Sequence, residues 1–300
     1  MTYLQLAAHL FMLVFWMRVW VNPAQSFTFN PFLAGVARFG DRVVAFLYPA
    51  LRLSGRPAAV ALLVFFWVFQ AMFFVRFGKA WQMTFGLFQF SLPGETLAWG
   101  MTFAHSGLYS AQFLIQAWTL YFFTRLIASP NSPGRAQEVF TFFMAPFSRL
   151  PLLLQLFVLV ALHAALVVAV IHAGALPSVL DLARTGDKPV ITGMFSGGAF
   201  WVYVKIGSLA MMSFVSGLQT LMYTLIFFLF GGLAAVLFGM RLPSLICRES
   251  VDVLLGRFSR SPAAAGGLDF TPVFFIIVVS LITSYFQSSL FQLIMKLPSV

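Results

Sequence analysis

The chain has 300 residues, of which 61% are hydrophobic and only 9% are charged, and 38 of them are Phe. Soluble domains have about a quarter of their residues charged, so this composition excludes an ordinary water-soluble domain. The formal net charge of +10 would suggest nucleic acid as a partner of a soluble chain, but in a membrane protein an excess of basic residues more often sets the topology. We therefore expect a polytopic, all-α membrane protein without a nucleic-acid partner.

Apolar windows of roughly 20 residues are long enough to cross a bilayer as helices. They predict about six transmembrane spans, near residues 3–21, 57–75, 107–127, 151–173, 214–240 and 272–295. The first window lacks the basic amino-terminal region and cleavage site of a signal peptide, so we expect a retained span. The fifth is preceded by more apolar sequence, and the whole stretch would measure roughly 60 Å as one helix. We expect its first part, before residue 214, to lie along the membrane interface or to re-enter the membrane.

Basic residues are concentrated on the connections after spans one, three and five. With those at the span ends they are Arg18, Arg38, Arg42, Arg52, Arg56, Arg125, Arg135, Arg149, Arg241, Arg248, Arg257 and Arg260. The other two connections have Arg76, Lys79, Arg184, Lys188 and Lys205. Because positive charge in short loops stays in the cytoplasm, we predict that both termini lie outside it.

An amphipathic segment follows each of these odd-numbered spans. After span one, Asn30 is a good N-cap and Pro31 suits the first helical position, ahead of FLAGVARFGDRVVAFL. After span three, GRAQEVFTFFMAPF follows Pro133, and after span five SLICRESVDVLLGRF follows Pro243. Such linker helices are suited to lie in a membrane interface or to dock on the bundle, although they also fit a simpler role as tethers between spans.

Each predicted linker helix is followed by arginine and by a proline that opens the next apolar run. These positions are Pro49, Arg52 and Pro57 in the first copy, Pro146, Arg149 and Pro151 in the second, and Arg257, Arg260 and Pro272 in the third. The pattern predicts three hairpin repeats. The first covers residues 1–76, residues 77–175 hold an outer connection and a degenerate second repeat, and residues 176–300 hold an outer connection and the third repeat.

The exit of the third copy, GGLDFTP, resembles the GG[IL]D[LF][ST]P element of the YggT (YlmG) family of bacterial and plastid membrane proteins. Gly266, Gly267, Asp269, Thr271 and Pro272 match that element, and Arg257 and Arg260 match its basic lead-in. The likeness is best over residues 215–297 and weaker over residues 5–75, where only Asn30, Pro31, Pro49, Arg52 and Pro57 fit. The resemblance implies helical hairpins in a bacterial inner (plasma) membrane. It also implies a link to membrane-complex assembly, to haem-protein maturation in plastid relatives and to osmotic tolerance, with no catalytic activity attached.

Asp269 fits three roles at the start of the last span. Its carboxylate could cap the helix, since aspartate favours N-cap positions and the helix N-terminus favours an anion, although Thr271 with Pro272 is an equally good cap pair. It could instead pair with Arg257 or Arg260. The third role is a carboxylate in a proton or cation path, as is common for acids within a bilayer.

Histidines are the only plausible metal or haem ligands. His163 and His172 are nine residues apart, about 13.5 Å along a helix, so they cannot bind one metal ion. Two axial haem ligands would come from different helices, for instance His9 and His172. The alternative for each imidazole is a hydrogen bond to a neighbouring helix, and we predict no metal site.

Other polar and small residues in the spans favour helix packing. Gln70, Gln116, Gln155 and Gln219 are lone amides suited to bond between helices, and Gly231, Ala235 and Gly239 form a small-residue stripe. No recognisable catalytic motif occurs, so we expect no enzyme.

Three functions fit these patterns. The first is a non-enzymatic scaffold or assembly factor whose basic cytoplasmic surface binds anionic lipids or a membrane-protein partner. The second is a channel or transporter for an ion or small solute, and the third is a haem-protein maturation factor.

Overall fold

The computed structural model of the protein describes residues 3–20, 31–51, 55–77, 81–92, 99–128, 135–179, 194–195, 198–260, 264–265 and 268–297. Its helices are α1 (Tyr3–Trp20), α2 (Pro31–Leu51), α3 (Gly55–Phe77), α4 (Trp99–Ile127), α5 (Arg135–Phe143), α6 (Leu152–His172), α7 (Ala199–Leu237), α8 (Arg241–Leu255) and α9 (Thr271–Lys296). Two 3-10 turns cover Phe147–Arg149 and Gly256–Arg260. Helices account for most of the described residues, which confirms the predicted all-α class.

Four of the helices are long and apolar enough to cross a membrane. They cover Gly55–Phe73, Leu152–His172, Ala199–Leu237 and Thr271–Lys296, each within one of the predicted spans or containing most of it. The apolar part of α1 is shorter, Ala7–Trp20. The predicted first and third spans do form helices, α1 and α4, and their crossing of a membrane stays a prediction.

The structure corrects the expectation for the residues before position 214. α7 is one continuous helix of 39 residues, about 58 Å long, so its first part is neither a separate interfacial segment nor a re-entrant one. The physical reason is that one face of this part is buried at helical spacing, at Lys205, Ser208, Leu209, Met212 and Ser213. Lys205 donates from Nζ to the carbonyl of Met194 at 2.9 Å.

The chain divides into two compact units. The linker unit comprises Met1–Gln70, Tyr121–Leu152 and Tyr223–Phe275, and the sheet unit comprises Ala71–Leu120, Leu153–Met222 and Ile276–Val300. Each of the three predicted repeats therefore contributes residues to both units, and the repeat boundaries stay a prediction.

A small antiparallel sheet, which the sequence did not predict, gives the sheet unit its core. Its strands are β1 (Trp81–Phe85), β2 (Phe88–Leu92) and β3 (Leu176–Val179), in the order β1-β2-β3. Met83, Phe85, Phe88 and Phe90 are fully buried against apolar side chains of α4, α6, α7 and α9. The β1–β2 turn contains Gly86 at φ +63°, where a Cβ would lie 2.1 Å from Met212 Cγ, so only glycine fits.

In the linker unit the three amphipathic helices pack together. α1 packs on α2 and on α5, α2 packs on α5, and α5 packs on α8. Met17 of α1 and Ala145 are buried together, and Ala34, Val139, Phe142 and Phe143 pack around them. The linker helices are thus docked on each other and on α1, one of the two arrangements that their amphipathic pattern suggested.

Candidate functional site

The predicted motif residues of the first copy lie close to where the sequence placed them. Pro31 is the first residue of α2, and Pro57 lies in the first turn of α3. Pro49 lies inside the last turn of α2, which extends to Leu51, and does not follow the helix as predicted. A proline is tolerated there because it removes only one late hydrogen bond. Asn30 and Arg52 lie outside the described residues.

In the second copy, Pro146 lies in the turn between α5 and the 3-10 turn Phe147–Arg149. Arg149 is the last residue of this 3-10 turn. Pro151 directly precedes α6. The position of Pro151 before a helix matches the prediction for this copy. Arg149 makes a long-range contact with Trp20.

The third copy leads from α8 into α9. α8 ends at Leu255, and Gly256 follows as its C-cap, with its N–H donating to the carbonyl of Asp252. The 3-10 turn, which includes Arg257 and Arg260, follows, and then a two-residue strand pair, β4 (Ala264–Ala265) and β5 (Leu268–Asp269), in which Asp269 pairs with Ala264. Gly266 and Gly267, between these strands, lie outside the described residues.

α9 begins at Thr271, with Pro272 in its first turn. Phe274 N–H donates to the carbonyl of Phe270 at 3.1 Å, so Phe270 occupies the N-cap position. Asp269 lies one residue earlier in a strand, and its side chain is outside the described part of the structure. Its three possible roles therefore stay predictions.

Two arginines at the linker exits bind the ends of other helices. Arg149 donates from Nη2 to the carbonyl of Trp20, the last residue of α1, at 3.5 Å. Arg257 donates from Nε to the carbonyl of Ala128, just after α4, at 3.3 Å. The two pairs have the same separation in sequence, 129 residues. Helix ends leave carbonyls without intrahelical partners and favour cations, so each arginine caps the helix that precedes the previous linker.

Two further arginines, in the last turns of α1 and α4, hold these helices to their own linkers. Arg18 is 9% exposed and forms an ion pair with Asp41 of α2. Arg125 donates from Nη1 to the carbonyl of Leu150 at 2.8 Å, where the second linker ends. Neither contact was predicted from the sequence, although the position of a basic residue at the end of each predicted span was a usable signal.

Gly256 is another residue whose contact was not predicted from the sequence. Its φ is +54°, and a Cβ there would lie 2.1 Å from the carbonyl oxygen of Ile127 in α4. The third linker therefore touches the backbone at the end of α4, and no side chain fits between them. The signal available was a glycine directly after an amphipathic helix, a common helix end.

Most of the described arginine side chains in the linker unit are exposed. Exposed arginine side chains are those of Arg38, Arg42, Arg56, Arg125, Arg149, Arg241, Arg248 and Arg257. The exposed acids of the described linker helices are fewer, namely Asp41, Glu138 and Asp252, of which Asp41 already pairs with Arg18. Among the described side chains of the linker unit, exposed arginines thus outnumber exposed acids, although on the linker helices themselves they are only four against three.

α2 combines exposed cations with exposed aromatic rings. Phe46 is 83% exposed and Phe39 is 43% exposed, while Arg38 and Arg42 are exposed beside them. Helical spacing of 100° per residue puts these four residues within one arc of the helix surface. In α5, by contrast, Val139, Phe142 and Phe143 pack into the linker unit. The described surface of α2 therefore has the combination of cations and aromatic rings that is typical of helices in a membrane interface.

The sheet unit contains a buried polar network around His163 of α6. Thr119 Oγ1 lies 3.0 Å from Nε2 of this imidazole and also donates to the carbonyl of Ile115 at 2.7 Å. Because the Thr119 proton is used on that carbonyl, its oxygen accepts from Nε2–H of His163. Nδ1 then accepts from the hydroxyl of Ser213, 3.0 Å away on α7. Both nitrogens of a neutral imidazole are satisfied, as expected for a histidine that joins helices.

His9 and His172 also lie within hydrogen-bonding distance of protein atoms. His9 Nε2 lies 3.3 Å from Gln70 Nε2 in the linker unit, and His172 Nδ1 lies 2.9 Å from the carbonyl of Val168 in its own helix. Within the described ranges, no group of three or more His, Cys, Asp or Glu side chains is placed to hold a metal ion.

Three of the lone amides bond between helices, as predicted. Gln70 meets His9, Gln116 of α4 donates to Ser216 Oγ of α7 at 3.2 Å, and Gln219 of α7 donates to Gln287 of α9 at 3.3 Å. Gln155 is fully buried in α6.

The small-residue stripe is used inside the linker unit. A Cβ on Gly231 would lie 3.5 Å from Cys247 Sγ of α8, and Ala235 is buried, so both allow close packing. Gly239 is not part of the packed stripe, because it lies after the end of α7 at φ +66°. Glycine suits such a helix end.

By fold, the protein belongs to the class of helical proteins whose long apolar helices can cross a membrane. No protein-family model, curated protein or solved structure matches the chain. The resemblance to the YggT family stays a prediction.

Proposed function

We propose that this protein is a non-enzymatic scaffold or assembly factor for a membrane protein complex. The observation that supports it best is the packing of α2, α5 and α8 into one unit. Arg149 and Arg257 tie two of the linkers to helix ends. Helices that only tether successive spans do not need contacts with segments more than a hundred residues away in the sequence.

The charge of this unit suggests what it binds. Arg38, Arg42, Arg241 and Arg248 are exposed on α2 and α8, so they are accessible to a phosphate or an acidic segment. Basic residues near a membrane surface contribute about 1 kcal/mol each to binding of anionic lipid. A cationic, aromatic surface of this kind would attract anionic lipids and position a membrane-protein partner beside them.

We propose that the linker helices α2, α5 and α8 lie on the cytoplasmic side of a bacterial inner membrane. The proposal follows from the positive-inside rule and from the resemblance of GGLDFTP to the YggT element. Outward termini follow from the same rule, and multiple crossings follow from the long apolar helices.

The test is co-purification from native membranes in mild detergent, followed by mass spectrometry of proteins and lipids. Wild-type protein should retain a membrane-protein partner or anionic lipid, and the double variant Arg38→Gln/Arg42→Gln should lose at least half of it. Lys296→Gln is the control, because Lys296 is exposed but belongs to the sheet unit. Unchanged retention in a correctly inserted double variant would argue against the proposal.

Transport of a small solute is a second candidate, favoured by the bonded amides of Gln219, which is half-buried, and Gln287, which is buried. Buried polar side chains inside membrane helices often mark solute or ion paths. Flux into reconstituted vesicles should then fall in Gln219→Leu. Wild-type flux no greater than that of empty vesicles would exclude this function.

A further inference from the structure

Two polar side chains of α9 are buried in the sheet unit, and each has a hydrogen-bonding atom without a partner among the described atoms. Thr283 is 1% exposed and Gln287 is 2% exposed. Among the described atoms, Thr283 Oγ1 and Gln287 Nε2 have no hydrogen-bond partner. The other amide atom of Gln287, Oε1, accepts from Gln219 Nε2 of α7 at 3.3 Å.

The unmet bond at Gln287 does not depend on how the amides are oriented. Amide oxygen and nitrogen are distinguished by their bonding pattern. If both amides were turned over, Gln287 would donate to Gln219, and its oxygen would be left over in place of its nitrogen. In either orientation one atom of this buried amide needs a partner.

The surroundings make such an unmet bond costly. α7 and α9 are two of the helices that can cross a membrane, and a hydrocarbon environment offers no solvent to a stranded donor or acceptor. Other buried polar atoms of the sheet unit, such as Gln116 Oε1, also lack a hydrogen-bond partner among the described atoms. The unmet hydrogen bond of Gln287 is assigned to the contact between α7 and α9 because its amide is bonded to Gln219 of α7.

The spacing of the two groups fits one small molecule. Residues i and i+4 of a helix lie on the same face with Cβ atoms about 5–6 Å apart, so Thr283 and Gln287 lie on the same face of α9. A buried water typically makes about three hydrogen bonds to otherwise unsatisfied groups. One molecule in contact with the Thr283 hydroxyl and the Gln287 amide would satisfy both.

We propose that Gln219, Thr283 and Gln287 form a binding site between α7 and α9 for a small molecule that both donates and accepts hydrogen bonds. Water is one such molecule and a small hydroxylic solute is another. The ligand accepts a hydrogen bond from Gln287 Nε2–H, and it donates to or accepts from the Thr283 hydroxyl. Gln219 fixes the orientation of the Gln287 amide. The site is independent of the scaffold function.

The deciding experiment uses the full chain in lipid nanodiscs with ¹⁵N-labelled glutamine side chains. The Gln287 amide signal is assigned by its loss in Gln287→Leu. A magnetisation-transfer peak between this amide and water shows water in the site, whereas a saturable shift on titration with ethylene glycol, absent in Thr283→Val, shows a hydroxylic solute. Either result supports the site, and an amide with neither response overturns it.

A thermal comparison covers the case in which the spectrum of a variant is lost. With a bound molecule, Thr283→Val removes one of its partners, so Tm should fall by several degrees. In a dry gap, the same isosteric change removes a stranded hydroxyl, and an unchanged or raised Tm would count against the site. Ser284→Ala is the matched control, because Ser284 is the exposed neighbour of Thr283 on α9.

Discussion

Arg257 donates a hydrogen bond from its guanidinium Nε to the backbone carbonyl of Ala128, 3.3 Å away and 129 residues earlier in the chain. This bond joins the exit of the third linker to the end of α4. Arg149 joins the exit of the second linker to the end of α1 with the same separation. The exits of the second and third linkers are thus tied to the ends of α1 and α4, respectively.

Arg257→Gln should weaken the third linker without changing membrane insertion. The contact is exposed, so we expect a loss of only about 0.5–1.5 kcal/mol in the free energy of unfolding. Limited proteolysis should show faster cleavage near residues 256–263. Arg248→Gln is the control, since Arg248 is exposed on α8, and equal cleavage of the two variants would show that the docking bond has no stabilising role.

Gly256→Ala should be much more destabilising than the arginine change. The added Cβ would meet the Ile127 carbonyl at 2.1 Å, and φ of +54° is strained for alanine. Together these effects should cost about 2–4 kcal/mol. Thermal unfolding in detergent measures the loss. The matched control is Gly207→Ala, where a Cβ meets nothing within 4 Å and alanine should be neutral or stabilising by roughly 0.5–1 kcal/mol. Similar Tm values for the two variants would contradict the contact with α4.

The network around His163 should respond to mutation as a unit. Thr119→Val leaves Nε2–H of His163 without its acceptor and should cost about 1–3 kcal/mol. In a His163→Phe background that acceptor is no longer needed, so the same Thr119 change should cost at least about 1 kcal/mol less. A double-mutant cycle from thermal or chemical unfolding measures the difference. Additive effects would mean that the Thr119–His163 bond contributes little.

The exposed aromatic surface of α2 should lie in the membrane interface. The chain has one cysteine, so a spin label can be attached to Phe46→Cys in a Cys247→Ser background. Collision with oxygen and with a water-soluble nickel complex should place the label near the headgroups. Phe227→Cys in α7, where the native side chain is 70% exposed, should give a deeper label. A Phe46 label fully accessible to the nickel complex would place α2 in water.

Local sequence signals predicted the helices well. Pro31 and Pro57 mark helix starts because proline is preorganised for the first turn, and the amphipathic linkers were recognised from the spacing of their apolar residues. The sheet was missed because its strands are only four or five residues long and lie in regions that looked like connections between spans. The continuity of α7 was also not predicted, because an apolar composition does not distinguish a lipid-facing surface from one that is buried in the protein.

The bonds that define the site could not be predicted from the sequence. Arg149 and Arg257 were recognised as linker residues, but their acceptors are backbone carbonyls, which carry no sequence signal. Gly256 gave the signal of a helix end, whereas its contact with Ile127 depends on long-range packing. Local patterns identified these residues, and only the fold identified their partners.

Thiol cross-linking tests the docking of the third linker on α4 most directly. Ala128→Cys and Arg257→Cys are combined in a Cys247→Ser background, with a protease site inserted between residues 185 and 186. A short bifunctional methanethiosulfonate reagent replaces the reach of the Arg257 side chain, because the native contact runs through its guanidinium. After cross-linking in native membranes and cleavage, the two fragments should stay joined until a reductant is added. Ala128→Cys with Arg248→Cys is the control pair and should give separate fragments. Separate fragments from the Ala128–Arg257 pair, in protein that is correctly inserted, would contradict the proposed linker assembly.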